Sequence, residues 1–348
     1  MPAKSVRYSV LDLCSVRQGS MPAEAIANTV EVARHVEKLG YHRYWLAEHH
    51  NMVGIASSAT SVLIGHVASK TNTIRVGSGG IMLPNHAPIT IAEQFGTLEA
   101  LYPGRIDLGL GRAPGGDGPA ARALRRGLGS NGETFPQDLA ELQKFLAPSV
   151  PNQLVRAVPG EGTNVPIYLL GSSDFSARLA GQLGLPFAFA SQFAPDYLNF
   201  ALDLYRNEFQ PSEVLQQPYV IVGMNLFAAD TDEAAQRAFT SLQQRFLNLI
   251  RGVPGKVPPP VDPNELRWTP PEQAHVSRMT RLSAVGSPAE VKASLEAILT
   301  ETDADELIMA GDLYDHAARL RSYEIGAEVM KSINTDRAAA LDAVGASR

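Results

Sequence analysis

The chain has a single cysteine, Cys14, which excludes an internal disulfide, and only two tryptophans in 348 residues. No apolar run approaches the roughly twenty residues that a membrane-spanning helix needs. Neither sign of charge dominates: 30 Lys and Arg against 36 Asp and Glu leave a formal net charge of −6, with no long run of either sign. That balance gives no electrostatic footprint for nucleic acid or for an anionic membrane surface. The first residues lack the basic-then-apolar layout of a secretory signal, and with the lone thiol this leads us to expect a reducing, cytoplasmic setting. There is no internal repeat, no low-complexity tail and no shift of composition that would mark a second domain. The expectation is one domain over 1–348, a length that α/β barrels reach as a single unit.

Against these absences stands a regular alternation of short apolar, β-branched runs with longer helical patterns, which argues for βα repetition and a parallel sheet. Strands are expected near Tyr8–Leu13, His42–Ala47, Ile74–Leu83, Arg105–Leu110, Pro166–Leu170, Leu185–Ala190, Tyr219–Phe227 and Glu306–Ala310. Eight such units favour a closed (β/α)8 TIM barrel, with an open doubly wound sheet as the runner-up. Pro22–Leu39 carries Ile26, Val30, Ala33, Val36 and Leu39 at helical spacing, and Gly40 stands where a left-handed cap would end that helix. Asp174–Leu183, followed by Gly184, repeats the pattern. Between Arg251 and Gln273 the density of proline excludes regular helix or central strand. This insertion, 251–281 at its widest, is either a disordered surface excursion or a mobile lid over an active site. A smaller irregular piece, Ala113–Gly118, follows the fourth strand.

Three stretches could carry chemistry. Glu48, His49 and His50 close the second strand, and the C-terminal ends of barrel strands are where catalytic groups collect. Alternation sends His49 one way and Glu48 and His50 the other. Metal ligation, a hydrogen-bonded strand end, and acid–base work by a histidine whose ordinary pKa is near 6.5 all remain open here. In the third strand, Gly77, Gly79 and Gly80 forfeit packing, for which close approach of a ligand or a bulge at a barrel corner would compensate. Gly109-Leu110-Gly111-Arg112 is not a dinucleotide fingerprint, because Gly115 comes one position too late. Arg112 instead reads as an anion contact or a surface arginine. Gly171-Ser172-Ser173-Asp174-Phe175-Ser176 leads from the fifth strand into a helix, which suits a phosphate or a plain N-cap.

In order and spacing, Trp45-Leu46-Ala47-Glu48-His49-His50, Val76-Gly77-Ser78-Gly79-Gly80-Ile81-Met82-Leu83-Pro84 and Asp107-Leu108-Gly109-Leu110-Gly111-Arg112 resemble the luciferase-like flavin-dependent monooxygenases. Weaker agreement continues through Leu170–Ser173, Gly184–Pro186 and Val285–Glu290, so that the resemblance covers nearly the whole chain. It implies a TIM barrel binding FMN at its C-terminal mouth, with reduced flavin supplied by a separate reductase, a homodimer, and oxygenation of a small organic molecule through a flavin C4a-peroxide. His49 then matches the active-site histidine. Gly79 and Gly80 fall where the family has a cis peptide under the flavin ring, and Arg112, Gly171, Ser172, Ser173 and Ser176 fall where it holds the FMN phosphate. The family's luciferases have a reactive cysteine where this chain has Gly111 and an acidic residue where it has Ser172, and their aldehyde-binding aromatics are not matched. The resemblance therefore implies a small-molecule oxygenase rather than light emission, with Gln192 and Phe193 in a different substrate pocket. A deazaflavin-dependent hydride-transfer enzyme and a catalytically silent flavin-binding protein are the alternatives.

Overall fold

Strands covered on both faces read as near-continuous apolar runs, and that is how nearly every strand of this chain is buried. The computed structural model describes residues 5–113, 116, 118–124 and 132–345, the last five by backbone alone. Its strands are β1 (Arg7–Asp12), β2 (Arg43–Leu46), β3 (Arg75–Met82), β4 (Ile106–Gly111), β5 (Ile167–Gly171), β6 (Phe187–Phe189), β7 (Val220–Ala228), β8 (Ser283–Gly286) and β9 (Glu306–Ala310). The helices between them are α1 (Pro22–Leu39), α2 (Thr60–Ala68), α3 (Pro88–Leu101), α4 (Gly118–Leu124), α5 (Phe135–Leu146), α6 (Asp174–Leu183), α7 (Leu198–Glu208), α8 (Asp232–Ile250), α9 (Pro270–Met279), α10 (Pro288–Thr302) and α11 (His316–Gly345).

Strands β1 to β7 pair in chain order, β7 pairs with β9, and β9 returns to β1, all in parallel. The result is the closed eight-stranded (β/α)8 barrel that the sequence implied, not the open sheet. The ninth strand was not expected. β8 runs beside the second half of β7, from Asn225↔Ser283 to Ala228↔Gly286, beyond the point where β6 ends at Phe189↔Val222. Its four residues are too few to show a period.

Two glycines end helices as their positions suggested. Gly40, at φ 87°, caps α1 by donating to the Val36 and Glu37 carbonyls. Gly184, at φ 61°, ends α6 where a Cβ would lie 2.4 Å from the Gln210 carbonyl oxygen. The proline-rich segment departs from expectation at its far end: α9 begins at Pro270, inside the stretch read as excluding helix. Its prolines occupy the first turn, where no N–H is needed, and a capping box joins Thr269 and Glu272.

Side chains fill the barrel in layers. At the N-terminal end Arg43 donates to Asp107 at 2.7 Å and to Glu306 at 2.8 and 3.1 Å, and all three are buried. Arg75 and the Trp45 indole also donate to Asp107, and Tyr219 donates to Glu306 at 2.7 Å. Buried charges persist only when paired in this way. Above them lie Leu11, Trp45, Tyr168, Ala188, Ile221 and Ile308. Gly79, Gly109, Gly111 and Gly223 follow along β3, β4 and β7, so the upper barrel is lined largely by backbone.

Candidate active site

The end of β2 is organised around Glu48, which is almost fully buried. Its carboxylate accepts from His50 Nε2 at 2.8 Å, His86 Nε2 at 3.0 Å, Asn85 Nδ2 at 3.2 Å and the Met82 backbone N–H at 3.0 Å. Burial would raise its pKa, but the hydrogen bond and charge of His86, then the bonds from His50 and Met82, hold it below the usual carboxylate range. The backbone N–H of Glu48 donates to the Gly80 carbonyl at 3.1 Å, so the residue fastens β2 to β3 through both main chain and side chain. Neither Asn85 nor His86 stood out in the sequence, because no spacing links them to Glu48. The one available signal was a polar Asn-His pair just past a strand end.

His49 lies three residues past the end of β2, beyond the regular strand on which the expected alternation depended. Its Nδ1 is buried with no hydrogen-bonding partner among the described residues. Burial, followed by the charge of Arg245, pushes its pKa down to about 4, against the Ala47 backbone and the Glu48 carboxylate, which raise it. This corrects the expectation of a histidine titrating near 6.5: at pH 7 His49 is a neutral imidazole. Arg245 reaches this region from α8 and pairs with Asp312, and nothing in the sequence marked it out. Cys14, at the end of β1, is buried, and its thiol is pushed up to about 12 chiefly by burial, which makes it a poor nucleophile.

The peptide bond between Gly79 and Gly80 is cis. The register of β3 against β4 shifts between Ser78 and Ile81, in keeping with the corner bulge that stood as the alternative to a ligand at these glycines. Their neighbours in the barrel already leave no room for a side chain. A Cβ on Gly77 would lie 2.3 Å from the Asp107 carbonyl oxygen, on Gly79 2.7 Å from Leu11, and on Gly80 2.8 Å from the Gly109 carbonyl oxygen.

At the end of β5, Ser173 takes the N-cap backbone conformation of α6 but makes no side-chain capping bond, so the simple capping explanation fails. Ser176 in the first turn is buried, and a Cβ on Gly171 would lie 2.4 Å from its hydroxyl oxygen, so only glycine fits there. The guanidinium of Arg112, just past β4, stacks 4.2 Å above the ring of Phe175, the second residue of α6. The fold thus gathers Arg112, Gly171, Ser172, Ser173 and Ser176 at one helix N-terminus, whose first N–H groups lack a side-chain cap. Of the Ala113–Gly118 piece nearby, Pro114, Gly115 and Asp117 lie outside the described residues.

The proline-rich segment lies over the mouth. Val257 donates to the Val16 carbonyl and accepts from Gln18, at 2.9 and 2.8 Å, and Lys256 donates to the Ser20 carbonyl. Gly54, in the loop after β2, packs so closely on it that a Cβ would meet the Gly255 carbonyl oxygen at 2.2 Å. This is a pinned covering over the loops after β1 and β2, not a disordered excursion. Across the barrel, beyond β6, Phe193 shares a pocket of about 220 Å³ with His275, Arg278 and Met279.

Residues 6–328 fit the pattern of luciferase-like monooxygenases. A luciferase-like monooxygenase of Escherichia coli K12 is 53% identical over 333 residues, covering 96% of this chain and 99% of its own. An N-acetyl-S-alkylcysteine monooxygenase of Bacillus subtilis is 41% identical over 189 residues, 53% of this chain and 57% of its own. The crystal structure of apo-MsnO8 superposes with a TM-score of 0.83 at 33% identity, covering 94% of this chain and 98% of that one. Two more distant structures share the fold: a type II Baeyer–Villiger monooxygenase component in complex with FMN (TM-score 0.70, 19% identity, covering 92% of this chain and 96% of that one) and an F420-dependent secondary alcohol dehydrogenase (0.64, 14%, 92% and 98%). With a match over almost its whole length and relatives above half identity, the chain belongs to the luciferase-like monooxygenase family.

Proposed function

We propose that this protein is an FMN-dependent monooxygenase that uses reduced flavin and O2 to oxygenate a small organic substrate. The observation that carries the reading is the pairing of an uncapped α6 N-terminus, flanked by Arg112, Ser172, Ser173 and Ser176, with a buried, partnerless His49 nitrogen at the same barrel mouth. Those residues fit FMN: a helix N-terminus with hydroxyls and a guanidinium suits one phosphate, and the backbone-lined upper barrel suits a flat ring. When bound, reduced FMN supplies the electrons and the activation of oxygen. Arg112 and the three serines bind the phosphate. Gly79 and Gly80 offer the ring a wall without side chains. With the flavin bound, His49, neutral at pH 7, would hold or accept a proton at Nδ1. The segment around Val257 excludes water from the mouth.

The deazaflavin alternative shares the barrel but requires no handling of oxygen. The N-acetyl-S-alkylcysteine relative makes thioether-bearing acylated amino acids the first substrates to test, and a separate flavin reductase and a homodimeric assembly complete the proposal. The test supplies FMN, NADH and a reductase under 18O2. Uptake of one labelled atom into product supports a monooxygenase. Flavin binding without label, or reduction of substrate with F420 in place of FMN, overturns it.

A further inference from the structure

β6 stands opposite β2 in the eight-stranded ring, and the turn that leaves β6 carries Gln192, three residues past Phe189. Its main chain is fixed: Asn225, nearly buried on β7, donates to the Gln192 carbonyl at 2.8 Å, and the adjacent buried Ser191 donates to the Gly223 carbonyl at 2.6 Å. Its carboxamide is not. The Oε1 atom is buried and has no hydrogen-bonding partner among the described residues. It lies over Gly223, where a Cβ would sit 2.1 Å from Oε1 and 3.0 Å from the Phe189 carbonyl oxygen. Only glycine at 223 lets the carboxamide occupy this position. The inward-facing neighbours below it, Ala188, Ile221 and Ile308, offer no polar atom of their own. A buried polar group that the protein holds by its backbone but leaves unpaired is costly unless something else pairs with it.

The geometry points to Gln192 as a recognition group for a ligand's amide N–H, from which its carboxamide oxygen accepts. Two ligands carry such an N–H: the pyrimidinedione ring of a flavin, and an N-acylated substrate. The inference rests on the flavin reading only for the first of these. Its consequence is discrimination between ligands that differ in one N–H.

The test titrates the wild type and Gln192→Ala with FMN and with 3-methyl-FMN, in which that N–H is replaced, following flavin fluorescence without turnover. Gln192→Met, close in length, repeats the measurement should the alanine variant fail to fold. In the wild type FMN should bind about tenfold tighter than the methylated form, the size of one hydrogen bond, and in the variants the two affinities should converge. If FMN affinity is unchanged but KM for N-acetyl-S-methylcysteine rises about tenfold, the partner is the substrate amide, which also supports the assignment. Parallel loss of both flavins with their ratio preserved, or no change in either arm, overturns it. A wild type that takes up no FMN would instead sink the flavin reading. The same proteins are then titrated with F420, whose ring carries the same N–H; where the variants lose the preference for FMN over 3-methyl-FMN, equal affinity of wild type and variant for F420 overturns the flavin assignment.

Discussion

Glu48 holds Gly80 by its backbone N–H at 3.1 Å while its carboxylate takes the N–H of Met82, two residues further along β3. One residue thus fixes the end of the third strand relative to His49, its own neighbour. Glu48→Gln removes the charge that His50 and His86 face and puts an amide donor among donors. Losing a buried, multiply bonded carboxylate should cost about 3 kcal/mol of stability, measured as a fall in the urea midpoint. A midpoint equal to that of the wild type would show that the cluster contributes nothing to the fold.

Arg112→Ala should weaken FMN binding by roughly 1.5–3 kcal/mol, the range of a charge-assisted hydrogen bond, with the fold retained. Equilibrium titration with FMN checks it, and an unaltered dissociation constant would remove Arg112 from the phosphate site.

His49→Ala should leave FMN affinity close to that of the wild type and lower the rate of product formation by a factor on the order of 10²–10⁴, the usual scale for a proton-handling residue. Rapid mixing of the reduced-flavin complex with oxygen and substrate measures this. Product at the wild-type rate would make His49 an ordinary strand-end residue.

Acid should destabilise the protein through its histidines. His49 and His42 are both pushed down to about 4, in each case chiefly by burial, from an ordinary value of 6.5. Between those two pH values the unfolded chain binds more protons than the folded one, so stability is complete above pH 6.5 and falls as the pH drops toward 4. Thermal midpoints taken across this window should decline, and His49→Gln should flatten the decline. An identical slope in the variant would mean that His49 is not buried neutral.

The barrel was legible because each of its eight strands carries a compact apolar run bounded by turn residues, and because Gly40 and Gly184 mark where helices stop. The placing of Arg112 beside the serine-rich helix start was legible in kind, since small residues and a guanidinium at strand ends have few other uses in a barrel. What could not be read were relations between distant segments. His86 meets Glu48, Arg245 meets Asp312 and Gln192 lies on Gly223, each pair brought together by barrel closure rather than by sequence spacing. The depressed pKa of His49 was hidden for the same reason, as burial and the charge of Arg245 exist only once the mouth is built. The glycines of β3 were legible as special, but the sequence could not say which atoms of the neighbouring strands crowd them.

The ring of strands is shut by β1 against β9, Arg7 beside Glu306 and Leu11 beside Ala310. During synthesis the first strand must therefore wait for almost the entire polypeptide before its open edge finds a partner, and until then it offers unpaired N–H and C=O groups to any neighbouring nascent chain. The Arg43–Glu306 ion pair, which spans the same closure, is likewise unavailable to any shorter fragment, so a chain cut before β9 would carry a buried arginine with half its counter-charge missing.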